Sequence, residues 1–508
     1  MQPAPLPSPS KRLWITILVM AATLMQVLDT TIANVALPHM QATLGATQES
    51  ISWVLTSYIV AAAIATPVTG WLEGRLGRRA LFTISIVGFT ASSMACGLAP
   101  SLGLMVGARI LQGVFGAWIG PIAQATLLDI YPREKQAKAM TIWGLGIMIG
   151  PILGPVTGGW LTDWFNWRWV FFVNVPIGVV VTFGLLAMLG PTPRSERRFD
   201  LLGFTLLSLA LASFQLMLDR GTHLDWFDSP EVVAEALVAA SALWAFVIHT
   251  LTAKAPILPR ALFRDRNLMF ANLFMLVTAG VILAGAALVT PMLQRLLGYG
   301  TIEAGLLVAP RGISMGVAMI LAGRLSTRFD PRLFIGAGFL LTAWSLHMMT
   351  GFSLGMDSRL VVLSGFVQGF GVGLIVLPMN VIAFTTLQPY LRTDAASLYG
   401  LSRSIGGSIA ISVMTALIAR NLQVSHADMA SGITGASLPF LNAGIVEQFG
   451  LRAETVAQMI DGEINRQAMM IAYIDDYWLM GWMALLIAPL VLFMRPPRPG
   501  DTPAMLAE

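Results

Sequence analysis

Charge is scarce in this chain: Asp, Glu, Lys and Arg make up 11% of its 508 residues, against about 25% in soluble domains. That scarcity excludes an ordinary water-soluble protein. Cysteine is nearly absent. The single one, Cys96, lies in an apolar run, so no disulfide within the chain is possible. Clusters with metal-ligand spacing, a phosphate-cradling glycine loop and a nucleophile–base arrangement are all missing from the spans and loops, so an enzyme is the least favoured reading. The net charge of +4 and pI near 9.4 do not signal nucleic acid, because the basic residues sit in short loops between apolar segments. No small-residue cleavage site follows the first apolar run, and no cleavable signal peptide is expected.

What is abundant is apolar sequence, with 56% hydrophobic residues and a mean hydropathy of +0.73. A spanning helix needs about 20 mostly apolar residues. Fourteen candidate spans follow, near 13–34, 51–72, 80–98, 102–123, 139–160, 168–189, 201–219, 232–252, 268–292, 303–323, 333–352, 359–382, 398–420 and 474–494. The fold class is therefore an all-α integral membrane protein. Most of the 31 Lys and Arg residues fall on one side of this pattern. Examples are Arg75, Arg78 and Arg79, then Arg133, Lys135 and Lys138, then Arg324, Arg328 and Arg332. The positive-inside rule makes that side cytoplasmic and puts both termini there. On the outer side, WLTDWFNWRWVFF at 160–172 reads as an aromatic belt, and 421–473 as a polar loop too long for a simple turn.

The chain repeats itself. GWLEGRLGRR at 70–79 matches GRLSTRFDPR at 323–332, and ILQGVFGA at 110–117 resembles FVQGFGVG at 366–373. The offset of eight spans defines six-helix halves separated by two extra helices. The expected divisions are 1–190 for the first half, 191–260 for a linker with two helices, and 261–508 for the second half with its long loop. Repeated halves around a midplane site are a mark of secondary transporters.

Four stretches carry chemistry. In MQVLDTTIANVALPHM at 25–40, Asp29 lies inside the first apolar run, where an ionisable side chain costs on the order of 3 kcal/mol. Arg109, in LMVGARILQGVFG of the fourth span, lies about 12 Å deep and Asp29 about 7 Å, both counted from the outer side. Similar depth and opposite charge suggest a pair. Burial disfavours the charged carboxylate and a guanidinium favours it, so a carboxyl balanced between them can take up and release a proton. In the turn 70–79, Gly70 and Gly77 allow a tight reversal, and Arg75, Arg78 and Arg79 suit the cytoplasmic surface. With the echo at 323–332, this turn reads as topology alone or as a latch between halves. GLGIMIGPILGPVTGG at 144–159 places Gly150, Pro151, Gly154, Pro155, Gly158 and Gly159 in one helix, read as a tightly packed, kinked hinge.

LDTTIANVALP, the 70–79 turn, RILQG and the double Gly-Pro run together resemble the major facilitator superfamily. Fourteen spans place the chain with its fourteen-helix drug:proton antiporters, and LDRGTHLDWF at 218–227 and WVFFVNVPIG at 169–178 look most like EmrB-type multidrug exporters. The resemblance covers nearly the whole chain. It implies the major facilitator fold, proton-driven export by alternating access, Asp29 as the proton-linked acid and Arg109 as its partner. It also implies a bacterial inner membrane, a periplasmic membrane-fusion adaptor and an outer-membrane channel, with the proton gradient as energy source and no cofactor. One departure stands in the turn: Gly74 occupies the place of the usual acid, with Glu73 one place earlier. Gln26, Trp53, Tyr58, Phe115, Trp118, Trp143, Phe370 and Tyr399 lie in spans that line the superfamily's cavity, and are expected to meet amphipathic aromatic drugs. The 28 Met suit an adaptable cavity. Arg311, deep in the tenth span with no acid in the ninth, suggests attraction of an anionic substrate. A proton-coupled importer of the same fold and a non-transporting scaffold are the competing readings.

Overall fold

In the computed structural model the described residues are 7–132, 135–190, 192, 194, 198–221, 224–326, 329–433 and 453–495. Among them the regular structure is entirely helical. The first half contains α1 (Pro9–Leu44), α2 (Trp53–Leu76), α3 (Arg78–Leu98), α4 (Leu102–Ile130), α5 (Gln136–Trp164) and α6 (Trp169–Met188). Then come α7 (Leu201–Gly221) and α8 (Pro230–Thr252). The second half contains α9 (Arg266–Leu296), α10 (Thr301–Leu325), α11 (Pro331–Met349), α12 (Ser358–Thr385), α13 (Arg392–Ser431) and α14 (Ala453–Ile487). Thirteen described helices are long and apolar enough to cross a membrane. The 29-residue α5 lies on the fifth expected run and is not one of those thirteen.

Local chemistry sets the breaks. Pro67 lies in a short 3-10 turn within α2, because proline removes a helix amide. Gly77, at φ +85°, turns the chain from α2 into α3 in a conformation that a Cβ disfavours. Asp200 accepts from the amides of Gly203 and Ile257 and contacts His249 Nε2 at 2.8 Å, tying the start of α7 to the end of α8. Burial alone would raise the Asp200 carboxyl, but those partners hold it below the usual carboxylate range. This tie therefore persists at neutral pH and is lost only in acid.

Small residues let the helices approach. Gly150, Gly154 and Gly158 of α5 face α1. A Cβ on Gly150 would lie 2.3 Å from Val27 Cγ1, on Gly154 2.1 Å from Thr31 Oγ1, and on Gly158 3.1 Å from Ile32 Cγ2. Gly159 faces open space. The helix is assigned without interruption from Gln136 to Trp164, where a kinked hinge was expected. The side chains of Pro151 and Pro155 lie outside the described residues. In the aromatic belt Trp160, Trp164 and Trp169 are exposed, while Arg168 stacks 4.4 Å from the ring centroid of the buried Trp167.

The largest departure from the sequence reading lies at 421–473. In place of a loop, α13 continues as helix to Ser431 and α14 begins at Ala453. The 40 residues of α13 make a rod about 60 Å long, roughly twice the hydrocarbon thickness. Asn421 Nδ2 donates to Asp475 Oδ2 at 3.1 Å and His426 meets Asp461 at 2.9 Å, which joins the two polar arms side by side. These links replace hydropathy as the organising force outside the bilayer. Residues 434–452 of the expected loop lie outside the described residues.

Gly154→Val puts two methyl groups where Thr31 already sits. Overpacking of this kind costs about 1–3 kcal/mol, so the purified variant should melt several degrees below wild type. Equal melting would show that α1 and α5 are not held by this contact.

Candidate functional site

Asp29 is fully buried inside the first half, and so is Arg109. The two meet at 2.7 Å through Arg109 Nη1 and Asp29 Oδ2. Local packing explains the placement. Gly113 of α4 lies against the carbonyl of Tyr58, where a Cβ would be 2.5 Å from that oxygen. That close approach carries Arg109, one turn earlier, over the Tyr58 ring at 4.3 Å from its centroid. Arg109 Nε donates to the Val54 carbonyl at 2.9 Å. Gln112, three residues on and on the same helix face, accepts from Arg109 Nη1 and donates to Asp29 Oδ1, both at 2.8 Å. Asn174 of α6 donates to Asp29 Oδ1 at 2.8 Å and contacts Ser93 Oγ at 3.0 Å. Ser93 in turn donates to the Phe171 carbonyl.

Asp29 thus accepts three N–H groups, and Arg109 is spent on three acceptors. A buried ion pair of this kind is tolerable only because its remaining lone pairs and protons are satisfied. A proton arriving at Asp29 would cancel the carboxylate charge, loosen the three bonds and leave a guanidinium in search of a partner. The sequence reading paired Asp29 with Arg109 but missed Gln112, Asn174 and Ser93. Gln112 was visible in RILQG, one turn from Arg109. Asn174 gave no comparable signal, since a single amide at a span's outer end looks interfacial.

The other expected residues scatter. Gln26 lies one turn from Asp29, its Oε1 near Gly120 of α4. Tyr58 belongs to the buried cluster through its ring. Trp53 is exposed at the start of α2. Phe115 seats on Gly88 and packs edge-on against Trp118 at 5.7 Å, and Trp118 Nε1 donates to the Ala65 carbonyl. Trp143 and Tyr399 are buried in the apolar core that both halves share, and Phe370 packs partly buried against it. Tyr399 stands edge-on to Phe384 at 6.0 Å.

A second cluster closes the end that carries the basic loops. Glu73 accepts from Arg78 Nε at 2.6 Å, Arg78 Nη1 reaches Asp129 Oδ2 at 2.5 Å, and Asp129 Oδ1 reaches Arg392 Nη1 at 2.6 Å. The chain of charges crosses from the first half to the second. Glu73 therefore supplies a carboxylate to the turn whose usual position holds Gly74, while Arg75 is exposed. Gly70 lies against Asp394 of α13, with no room for a Cβ. Gln124 Nε2 donates to Asn380 Oδ1 at 3.4 Å, and Gly144 abuts Met319, both toward the same end.

A family model described as Major Facilitator Superfamily matches residues 19–411. The chain belongs to that superfamily. Its members are transporters rather than enzymes. The chain is 34% identical over 487 residues to the multidrug export protein EmrB of Escherichia coli K12, covering 95% of each. It is equally similar, 34% over 487 residues, to the fatty acid resistance protein FarB of Neisseria gonorrhoeae, covering 95% of this chain and 96% of that one. Among solved structures, the proton:xylose symporter XylE matches with a TM-score of 0.60 at 14% identity, over 98% of both chains. The human organic anion transporter MFSD10 matches with 0.57 at 13%, over 94% of this chain and 100% of that one. Both share the superfamily fold.

Removing one partner of a buried pair leaves an uncompensated charge, at about 3–5 kcal/mol. Arg109→Gln and Asp29→Asn should each lower thermal stability on that scale, whereas the two combined should recover much of it. Strict additivity of the two single losses, read by thermal unfolding, would show that the pair is not coupled.

Proposed function

We propose that this superfamily member exports amphipathic drugs or other toxic compounds from the cytoplasm, in exchange for protons taken up by Asp29. The reading rests foremost on one observation: a fully buried carboxylate held by Arg109 Nη1, Gln112 and Asn174, with no exposure to water. A membrane-buried acid of this kind marks a proton path more often than a structural contact. The similarity to EmrB over nearly the whole of both chains supports export rather than import.

The cycle uses two states of one molecule. With the basic-loop end on the cytoplasmic side, the Glu73–Arg78–Asp129–Arg392 chain shuts the inner entrance and the molecule faces outward. From this state the contacts of Arg109, Gln112 and Asn174 to Asp29 part, a proton from the acidic side neutralises the acid, and drug leaves. The neutral acid favours the return, in which Arg392 parts from Asp129 and the inner entrance opens. Drug then enters as the proton is lost. No cofactor is needed, because the proton gradient supplies the energy. Both termini are cytoplasmic, in the bacterial inner membrane. The paired arms of α13 and α14, beyond the outer face, are the docking surface for a periplasmic adaptor that leads to an outer-membrane channel.

Asp29→Asn should abolish uncoupler-sensitive dye efflux in cells when efflux is normalised to the amount of protein in the membrane. Efflux at wild-type rate in that variant removes Asp29 from the coupling. Flux direction in proteoliposomes under an imposed pH gradient separates export from import. Deleting matched turns of the arms, 422–431 with 453–462, should reduce co-purified adaptor several-fold while leaving the melting temperature nearly unchanged. Full adaptor recovery would place the docking surface elsewhere.

A further inference from the structure

The two halves are built on one plan, but the charges within them differ. In the repeat, Gln112 and Gly113 of α4 align with Gln368 and Gly369 of α12, which sets Gly365 opposite Arg109. The 70–79 and 323–332 repeat likewise sets Arg311 of α10 opposite Tyr58 of α2. Packing supports both alignments independently. Gly113 lies on the carbonyl of Tyr58, and Gly369 lies on the carbonyl of Arg311, where a Cβ would be 1.9 Å away.

In the first half this framework holds a carboxylate, Asp29, between a guanidinium and a glutamine amide. In the second half the guanidinium and the glutamine are present and the carboxylate is not. Arg311 passes beside Gly365, and its guanidinium comes to rest against Gly285 of α9, 3.3 Å from where a Cβ would stand. Its described hydrogen bond is one donation to the Ile282 carbonyl at 3.3 Å. No carboxylate among the described residues lies within ion-pairing distance of it. Gln368 is 1% exposed, yet neither its amide nitrogen nor its amide oxygen has a hydrogen-bond partner. A buried amide without partners costs about 1–3 kcal/mol. A half-buried guanidinium without an anion is likewise unsatisfied. Asp476, on α14, is buried and without partners too, but it adjoins Tyr477 rather than forming an ion pair with Arg311.

We infer that Arg311, lying against Gly285 of α9, and Gln368 form an anion cradle, a copy of the Asp29 cradle that takes the carboxylate of an amphipathic substrate. The inference deepens the transport reading by naming the chemistry of what is carried. Arg311 supplies a planar fork matched to two carboxylate oxygens. Gln368 supplies the N–H that Gln112 gives to Asp29. Gly285, lacking a side chain, lets the Arg311 guanidinium lie against α9 and puts no carboxylate of its own into the fork.

The test is binding without a pH gradient, so that it stands apart from coupling at Asp29. The full chain is placed in phosphatidylcholine nanodiscs, and binding of 1-pyrenebutyrate is compared with that of the uncharged 1-pyrenebutanol. Wild type should favour the carboxylate by roughly tenfold or more. Arg311→Gln should bring the two probes to equal affinity. Gly285→Asp should do the same, by supplying from α9 the carboxylate that the cradle lacks. Asp29→Asn should keep the preference even where it abolishes efflux. A carboxylate preference unchanged in both Arg311→Gln and Gly285→Asp, or absent from wild type, would overturn the proposal. Loss of probe binding in phosphatidylglycerol nanodiscs would overturn substrate occupancy and give the cradle to a lipid headgroup.

Discussion

The buried pair of Asp29 and Arg109 is the constraint around which the first half is organised. Taking two ions out of water carries a penalty of several kcal/mol each, offset only when geometry and secondary hydrogen bonds are good. Five helices contribute to meeting that condition. The acid comes from α1 and the guanidinium and amide from α4. A backbone oxygen comes from α2, a second amide from α6, and the hydroxyl that contacts it from α3. The Gly113 contact sets the separation of α2 and α4 on which the stacking of Arg109 over Tyr58 depends. Bundle geometry and site chemistry are therefore one problem here, solved by small residues at the crossings and a few polar ones between them.

The second half reuses the glycine crossings without the ion pair. Gly369 meets the Arg311 carbonyl as Gly113 meets the Tyr58 carbonyl, so the scaffold is conserved between halves while the charges move. The first half keeps a satisfied ion pair, and the second keeps a guanidinium whose described hydrogen bond is to a backbone carbonyl. At the basic end the halves are tied by salt bridges of modest exposure, from Glu73 through Arg78 and Asp129 to Arg392. Ion pairs of that exposure are weaker than a buried pair, so this contact between the halves costs less to break than the Asp29–Arg109 pair.

Hydropathy made thirteen of the fourteen expected spans legible, because a bilayer imposes one length on every crossing segment. Depth counting brought Asp29 and Arg109 together in the sequence for the same reason. The amides were not legible: Gln112 and Asn174 act at single positions, and their value depends on where a neighbouring helix places a carboxylate oxygen. The aromatic residues were read as one set, but they point in several directions, since membership of a cavity-lining span does not fix which helix face a ring occupies. Phe115, seated on Gly88, is the clearest instance. The arms at 421–431 and 453–473 were taken for loop because their polarity breaks the span pattern, although polar helices are stable when paired, as Asn421 with Asp475 and His426 with Asp461 demonstrate.

The length of α13 carries a mechanical consequence. This one uninterrupted helix starts at Arg392, inside the basic-end closure, and finishes at Ser431, about 60 Å away along its axis. A stiff rod pivoting in the bilayer converts a small rotation at its inner foot into a larger sweep at its distal tip, in the opposing direction. A load applied at that tip is therefore transmitted along one element to the Asp129–Arg392 contact at the basic end.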